Sequence, residues 1–181
     1  MLDQAFGWLG QVAEFIGSLF PRLLIVKTSD RALKYIHGHR LVLLPPGLHL
    51  YWPLVTEVEW CSVVRTVVVH KPHVLETRDG VQVTVGGVTT YRVSNPIRYL
   101  AENEAPAEFV DDLSAAAIRQ VVVARTYAEL QAALPEIDEQ ITSSARELLR
   151  PFGVRVESTR LTDFARTRTL HLTGTDSRPL P

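Results

Sequence analysis

The feature that most restricts this chain is a change of hydrophobic period part-way along it. From Pro21 to Val93 the apolar residues fall in short runs or alternate singly, and from Pro106 they recur every three to four positions. Between Val81 and Val93 one parity carries Val81, Val83, Val85, Tyr91 and Val93, and the other carries Gln82, Thr84, Thr90 and Arg92. That alternation predicts a strand with one face buried and one wet. Phe109, Leu113, Ala117 and Val121 then stand four apart, with Glu108, Asp111 and Asp112 near the start of the run and Arg119 and Arg125 near its end. Such a charge order complements a helix dipole. Thr126 and Glu129 have capping-box spacing for a short helix through Leu134, Pro135 is placed to open the next, and Ile137, Ile141, Ala145 and Leu148 form its stripe. Gly153 suits a C-terminal cap, after which Val154, Val156 and the run to Leu161 return to strand alternation. Strands, then helices, then a returning strand predict an α+β fold with a β-rich first part and a helix-rich second part.

Ahead of the long strand, short apolar runs are separated by turn chemistry. Leu23 to Val26, Ala32 to Ile36, Leu41 to Leu44 and Leu48 to Tyr51 read as strands, with a hairpin at His37-Gly38 and a turn forced at Pro45-Pro46-Gly47. Val58 to Val69 reads as one longer extended run, joined through the Arg78-Asp79-Gly80 turn to an antiparallel neighbour that Asn95-Pro96 ends. The organisation expected is an amphipathic segment over 1–20, one domain over 21–164 and a tail over 165–181 that shows no period.

From Leu2 to Phe20 the polar positions Asp3, Gln4, Gly7, Gly10, Gln11, Glu14, Gly17 and Ser18 recur at helical steps. The opposite stripe is wide and aromatic, and the residues expected to contact a membrane are Phe6, Trp8, Leu9, Val12, Phe15, Ile16, Leu19 and Phe20. Asp3, Glu14 and two glutamines inside the segment favour lying in the interface over crossing it. The competing reading packs the same stripe on the chain's own domain or on a neighbouring subunit. Lys+Arg 19 against Asp+Glu 20 gives a net charge of -1, so no global basic field gathers nucleic acid or anionic lipid. Membrane binding then rests mainly on apolar insertion. Arg22, Lys27, Arg31, Lys34 and Arg40 follow the segment, and headgroup contact and a solvated strand face are equally open to them. Asp3 stands where a secretory signal carries Lys or Arg, so the segment reads as retained.

No motif carries catalytic chemistry. The single Cys61, between Trp60 and Ser62, excludes an internal disulfide and a Cys-rich zinc site and reads as a small core residue in a reducing compartment. His37/His39 and His70/His73 are close in sequence, yet no Cys and no obvious carboxylate partner completes a ligand set, so they are expected to be exposed turn and strand residues. Gly86-Gly87 lies inside a strand and not at a strand-to-helix junction, which favours close approach by a neighbouring element over a phosphate loop. No serine-nucleophile elbow is present. The expectation is a non-enzyme with no cofactor, no metal and no nucleic-acid partner.

Four segments in register resemble the SPFH/band 7 superfamily, the stomatin, prohibitin and flotillin group. The strand ending in Tyr91-Arg92-Val93-Ser94-Asn95-Pro96 is similar to its signature, as are Pro46-Gly47-Leu48-His49-Leu50-Tyr51-Trp52-Pro53 and Arg125-Thr126-Tyr127-Ala128-Glu129-Leu130. The stretch Leu148-Leu149-Arg150-Pro151-Phe152-Gly153-Val154-Arg155-Val156, continuing to Leu161-Thr162-Asp163, resembles its closing segment. The resemblance implies an α+β domain that packs side by side into rings, arcs or cages on membranes and organises microdomains or restrains membrane proteases and channels. Membrane lipid, further copies of the chain and a membrane protein or protease client are the partners it implies, with attachment expected on the cytoplasmic side. Two departures stand out: relatives usually enter the membrane through a longer hydrophobic segment, and most continue into a coiled coil. A soluble shell component with the N-terminal helix between subunits is the rival reading, and an adaptor for a protease is a third.

Overall fold

Turn residues cut the first part of the chain into five short strands. The computed structural model describes residues 20–167, so the amphipathic segment over 1–19 and the tail from 168 lie outside the described residues. The strands are β1 (Arg22–Val26), β2 (Asp30–Ile36), β3 (Arg40–Leu44), β4 (Gly47–Tyr51) and β5 (Thr56–Ser62). The β2–β3 hairpin closes through His37 and Gly38, whose φ values of 52° and 73° match the left-handed conformation that tight hairpin turns use. The strands form two small antiparallel sheets, a β1–β4 ribbon and a three-stranded sheet in the order β3-β2-β5. Val26, Ala32 and Leu44 form their shared core, with Leu24, Val42 and Val58 packed around it.

The extended run expected from Val58 to Val69 is two strands in two sheets. β5 ends at Ser62 and β6 (Thr66–Glu76) begins after Val63-Val64-Arg65. The link holds no Gly, Pro, Asn or Asp, so no strong turn residue marks the place where the chain changes sheets. β6, β7 (Gln82–Val93) and β8 (Val154–Arg166) form the larger antiparallel sheet in the order β6-β7-β8. The central β7 buries Val83, Val85, Thr89, Tyr91 and Val93, so the predicted alternation holds along its length. β8 continues to Arg166, opposite Val83, two residues into the span expected to be tail.

Four helices follow β7: α1 (Pro96–Ala101), α2 (Pro106–Val123), α3 (Tyr127–Ala132) and α4 (Leu134–Leu149), with a 3-10 turn at Arg150–Phe152 leading into β8. Asn95 caps α1 by accepting from the Ile97 and Arg98 amides, and Thr126 with Glu129 forms the full capping box of α3. The β6–β7 turn docks on that box. Asp79 accepts from the Tyr127 amide at 3.1 Å and from Thr77 Oγ1 at 2.5 Å, and these hydrogen bonds hold its carboxyl below the usual carboxylate range.

α2 and α4 lie on the buried face of the large sheet. Around β7 they bring Ile118, Val122, Ile137 and Ile141 against Val83 and Val85, and Val110, Ala117, Ala145 and Leu149 against Tyr91 and Val93. The stripe expected on α2 is out of phase by one position: Val110, Ser114, Ala117, Ile118 and Val122 are buried, while Phe109, Leu113 and Val121 sit at the margin. Apolar residues cover most of this helix, so period alone left its rotation open. Phe109 instead meets Phe152 edge to face at 4.5 Å, pinning the start of α2 to the 3-10 turn. On α4 the same slip places Leu149, not Leu148, in the core.

β8 is an edge strand, and α4 satisfies its free edge. Asp138, Thr142 and Arg146 stand four apart on one helix face. Asp138 Oδ1 accepts from the Leu161 amide at 3.0 Å, and Thr142 Oγ1 accepts from the Thr159 amide at 2.9 Å and donates to the Thr159 carbonyl at 3.1 Å. Arg146 Nε and Nη2 donate to the Val156 and Glu157 carbonyls at 3.0 and 2.8 Å. Edge groups that would otherwise template another chain are thereby spent internally. Thr142→Val keeps the shape and leaves both Thr159 backbone groups buried without partners. We expect it to lower stability by about 1 to 3 kcal/mol in urea unfolding, by the usual cost of an orphaned buried polar group.

Candidate functional site

Both parities of β1 carry large aliphatic residues, and only one can face the core. Direct pairing of Leu23 with Leu50 and of Ile25 with Leu48 places these four side chains on one face of the ribbon. The other face turns Leu24 and Val26 inward to Ala32 and Leu44. The outward four remain 67%, 58%, 71% and 64% exposed for Leu23, Leu50, Ile25 and Leu48. Phe20, Trp52 and Leu54, which flank the two strands in sequence, are exposed as well. Scattered single apolar residues on a surface need no explanation, whereas cross-strand pairs forming one patch mark a contact site. Phe20 is the one expected membrane-contacting residue that the structure describes, and it is exposed at the start of β1. Phe6, Trp8, Leu9, Val12, Phe15, Ile16 and Leu19 lie outside the described residues. The sequence reading stopped at Phe20 and missed the ribbon. Its signal was available: an uninterrupted apolar run such as Leu23-Leu24-Ile25-Val26 implies apolar character on both faces of a strand.

The basic residues after the apolar segment do not act as one group. Arg31 donates to the Asp30 carbonyl at 2.8 Å, at the start of its own strand, and Lys34 Nζ reaches the Leu50 carbonyl at 3.4 Å, from β2 across to β4. Arg22, Lys27 and Arg40 are exposed.

The histidines divide. His37 and His39 flank the β2–β3 turn with rings 6.5 Å apart, as turn residues. His70 corrects the expectation of exposure, because it is 2% exposed and fully hydrogen-bonded. Its Nδ1 donates to Asp111 Oδ1 on α2 at 2.5 Å, and its Nε2 lies 2.7 Å from Thr89 Oγ1 on β7. Thr89 meets Thr159 of β8 at 3.1 Å, so a buried polar chain crosses the sheet from α2 to β8. The carboxylate partner exists, but 41 residues away in sequence, where spacing gave no hint of it. Thr89 and His70 are buried, and Asp111 is the end of this Asp-His-Thr line that meets solvent. The line joins helix to sheet. His70→Ala should cost about 2 to 3 kcal/mol in chemical denaturation, combining a cavity with the loss of the hydrogen bonds to Thr89 and Asp111.

Gly86 and Gly87 give close approach, as expected of them. A Cβ on Gly87 would lie 2.8 Å from Ile118 Cδ1, and one on Gly86 would lie 2.7 Å from Asp163 Oδ2. Cys61 is buried, which pushes its thiol up to about 11 and leaves it inert at neutral pH. Among the described residues, no three of His, Cys, Asp and Glu are grouped to hold a metal ion, and no helix is long and apolar enough to cross a membrane.

A β-rich first part followed by a helix-rich second part is the architecture expected of the resemblance, and the structure has it. The SPFH domain / Band 7 family model matches residues 24–167, nearly the whole of the described chain. The chain belongs to this family. No curated protein matches it. Within the SPFH domain, the sequence segments that resembled the family fall at places where the structure needs them. Pro46 to Pro53 builds β4 of the exposed ribbon, and Tyr91 to Pro96 carries the end of β7 into the α1 cap. Arg125 to Leu130 forms the α3 capping box, and Leu148 to Val156 is the turn into β8.

Proposed function

We propose that this SPFH domain is a non-enzymatic scaffold on a membrane surface, held there by the amphipathic segment over 1–20 together with the outward face of the β1–β4 ribbon. The observation that carries the reading is that face: Leu23, Ile25, Leu48 and Leu50 stand exposed in two cross-strand pairs, and Phe20, the last residue of the apolar stripe in sequence, is exposed ahead of β1. Insertion of such a face needs no basic field, which accords with a net charge of -1. The client is a membrane protein or membrane protease, the attachment is on the cytoplasmic side, and no nucleic acid or cofactor takes part.

Self-association is the second element of the proposal. On β6, an edge strand of the large sheet, Val67, Val69 and Val74 point outward and are exposed, which supports lateral contact between copies. Repeated contact between identical domains through unlike surfaces closes as a ring or runs on as an arc. Confinement on a membrane supplies effective concentration to contacts that are weak in solution.

Flotation with phosphatidylcholine vesicles tests the attachment. The full chain should float, and a chain lacking residues 2–20 should float less; Phe15→Glu or Ile16→Glu should act in the same direction, since a charge on the inserted face opposes insertion by about 2.5 to 3.5 kcal/mol. Undiminished flotation of the truncated chain would remove the N-terminal segment from the proposal. Sedimentation with and without lipid nanodiscs tests assembly: oligomer size should rise with membrane, and a strictly monomeric species in both conditions excludes a scaffold. Oligomers that never float would instead identify a soluble shell component.

A further inference from the structure

We propose that the cleft between the end of α4 and the start of β8 is a binding site for a phosphate-bearing anion. The cleft has a volume of about 830 Å³, within the range of small-ligand sites. Arg92 from β7, Arg146 from α4, Arg150 from the 3-10 turn and Arg155 from β8 converge on it, with Glu157 as its acidic residue. Four guanidiniums against one carboxylate give the lining a charge of about +3 by formal count, on a chain whose net charge is -1.

That carboxylate is already saturated. Arg92 donates to Glu157 Oε1 through Nε at 2.8 Å and through a still shorter Nη2 contact, and Arg65 reaches Oε2 at 2.5 Å. Arg146 spends Nε and Nη2 on the edge of β8. Arg150 and Arg155 are exposed, and among the described residues neither has a side-chain hydrogen bond or ion pair. The helix dipole accounts for cations at the end of α4, which covers Arg146 and Arg150. It does not account for Arg92 and Arg155, paired across two strands and turned to the same cleft.

Two uncommitted guanidinium forks, held beside two fixed ones, suit an anion with several acceptor oxygens and more than one negative charge. A phosphate monoester or a diphosphate has both, and a guanidinium meets either bidentately. A single carboxylate would engage only one fork. The shared chemistry is the phosphate group, carried either by a soluble metabolite or by a lipid headgroup.

The test uses the full chain at physiological ionic strength with two probes, pyrophosphate by calorimetric titration and vesicles of phosphatidylcholine with or without phosphatidylinositol 4-phosphate. Arg150→Gln/Arg155→Gln removes the free forks without breaking any contact, and Arg40→Gln/Arg119→Gln removes equal charge elsewhere. Melting curves establish that both variants are folded. Pyrophosphate should bind the parent chain, and the cleft variant should bind at least about tenfold more weakly, the control variant unchanged. If phosphoinositide also raises vesicle binding through Arg150 and Arg155, the source is a headgroup; if pyrophosphate alone binds, it is a soluble compound. Absence of pyrophosphate binding overturns the site even where phosphoinositide vesicles bind, since surface charge then suffices. Equal losses in the two variants overturn it in the same way. Neither result bears on attachment through the β1–β4 ribbon, which is read on phosphatidylcholine alone.

Discussion

Replacing Leu23 and Leu50 together by glutamine is expected to weaken binding to phosphatidylcholine vesicles by roughly 30-fold to 1,000-fold while leaving the folded domain intact. The two residues face each other across β1 and β4 and point away from the core, with 67% and 58% of their surface open. Full burial of a leucine is worth about 1.5 to 3 kcal/mol, and about two-thirds of that remains to be gained at each position on contact with lipid. The pair therefore contributes about 2 to 4 kcal/mol to membrane binding, which converts at tenfold per 1.4 kcal/mol into the stated range. Glutamine is preferable to glutamate here because like charges placed directly opposite each other would destabilise the ribbon itself. Vesicle co-sedimentation gives the affinity, and a thermal melt within a few degrees of the parent confirms that the loss is one of contact. Unaltered vesicle binding by the folded double variant would transfer the apolar face to a protein partner.

Much of this fold was legible because its central elements carry strong local signals. β7 alternates along its whole length, the Thr126–Glu129 box is complete, and Gly153 takes the positive φ of 75° that its place after the 3-10 turn requires. What was not legible depended on contacts distant in sequence. The break between β5 and β6 at Val63-Val64-Arg65 holds no Gly, Pro, Asn or Asp, and only the assignment to different sheets separates the two strands. The rotation of α2 was open because Leu113, Ala117, Ile118, Val121 and Val122 offer two neighbouring stripes, and the Phe109–Phe152 contact selects between them. His70 and Asp111 are neighbours only once α2 lies on the sheet. The candidate site divides in the same manner. Its apolar character was written in Leu23 to Val26 and Leu48 to Leu50, but which parity would face outward depended on Ala32 and Leu44 taking up Leu24 and Val26.

Gly153→Ala is expected to lower unfolding stability by about 2 to 5 kcal/mol, and comparison with Gly38→Ala separates the two causes. Both glycines have positive φ, 75° and 73°, so both substitutions carry the backbone penalty of about 1 to 2 kcal/mol for an L-residue in the left-handed region. At Gly38 an added Cβ meets nothing within 4 Å, and the backbone penalty is the whole effect. At Gly153 the same atom would lie 2.5 Å from the Asn95 carbonyl oxygen, 2.9 Å from Asn95 Cβ and 3.3 Å from Arg98 Cβ. The first of these is backbone and cannot swing aside. Relief requires the 3-10 turn and the start of α1 to separate, at the further 1 to 3 kcal/mol or so typical of overpacking. That separation acts on several hydrogen bonds at once. Gly153 O accepts from the Ser94 and Asn95 amides at 2.8 and 2.9 Å and from Ser94 Oγ at 2.8 Å, while Asn95 O accepts from the Tyr99 amide at 3.1 Å to begin α1. The end of β7, the cap of α1 and the start of β8 therefore share one close contact that only glycine permits. Urea titration of the two variants beside the parent measures the difference. Equal losses at the two positions would mean that the Asn95 contact relaxes without cost, and the junction would then owe its geometry to backbone conformation alone.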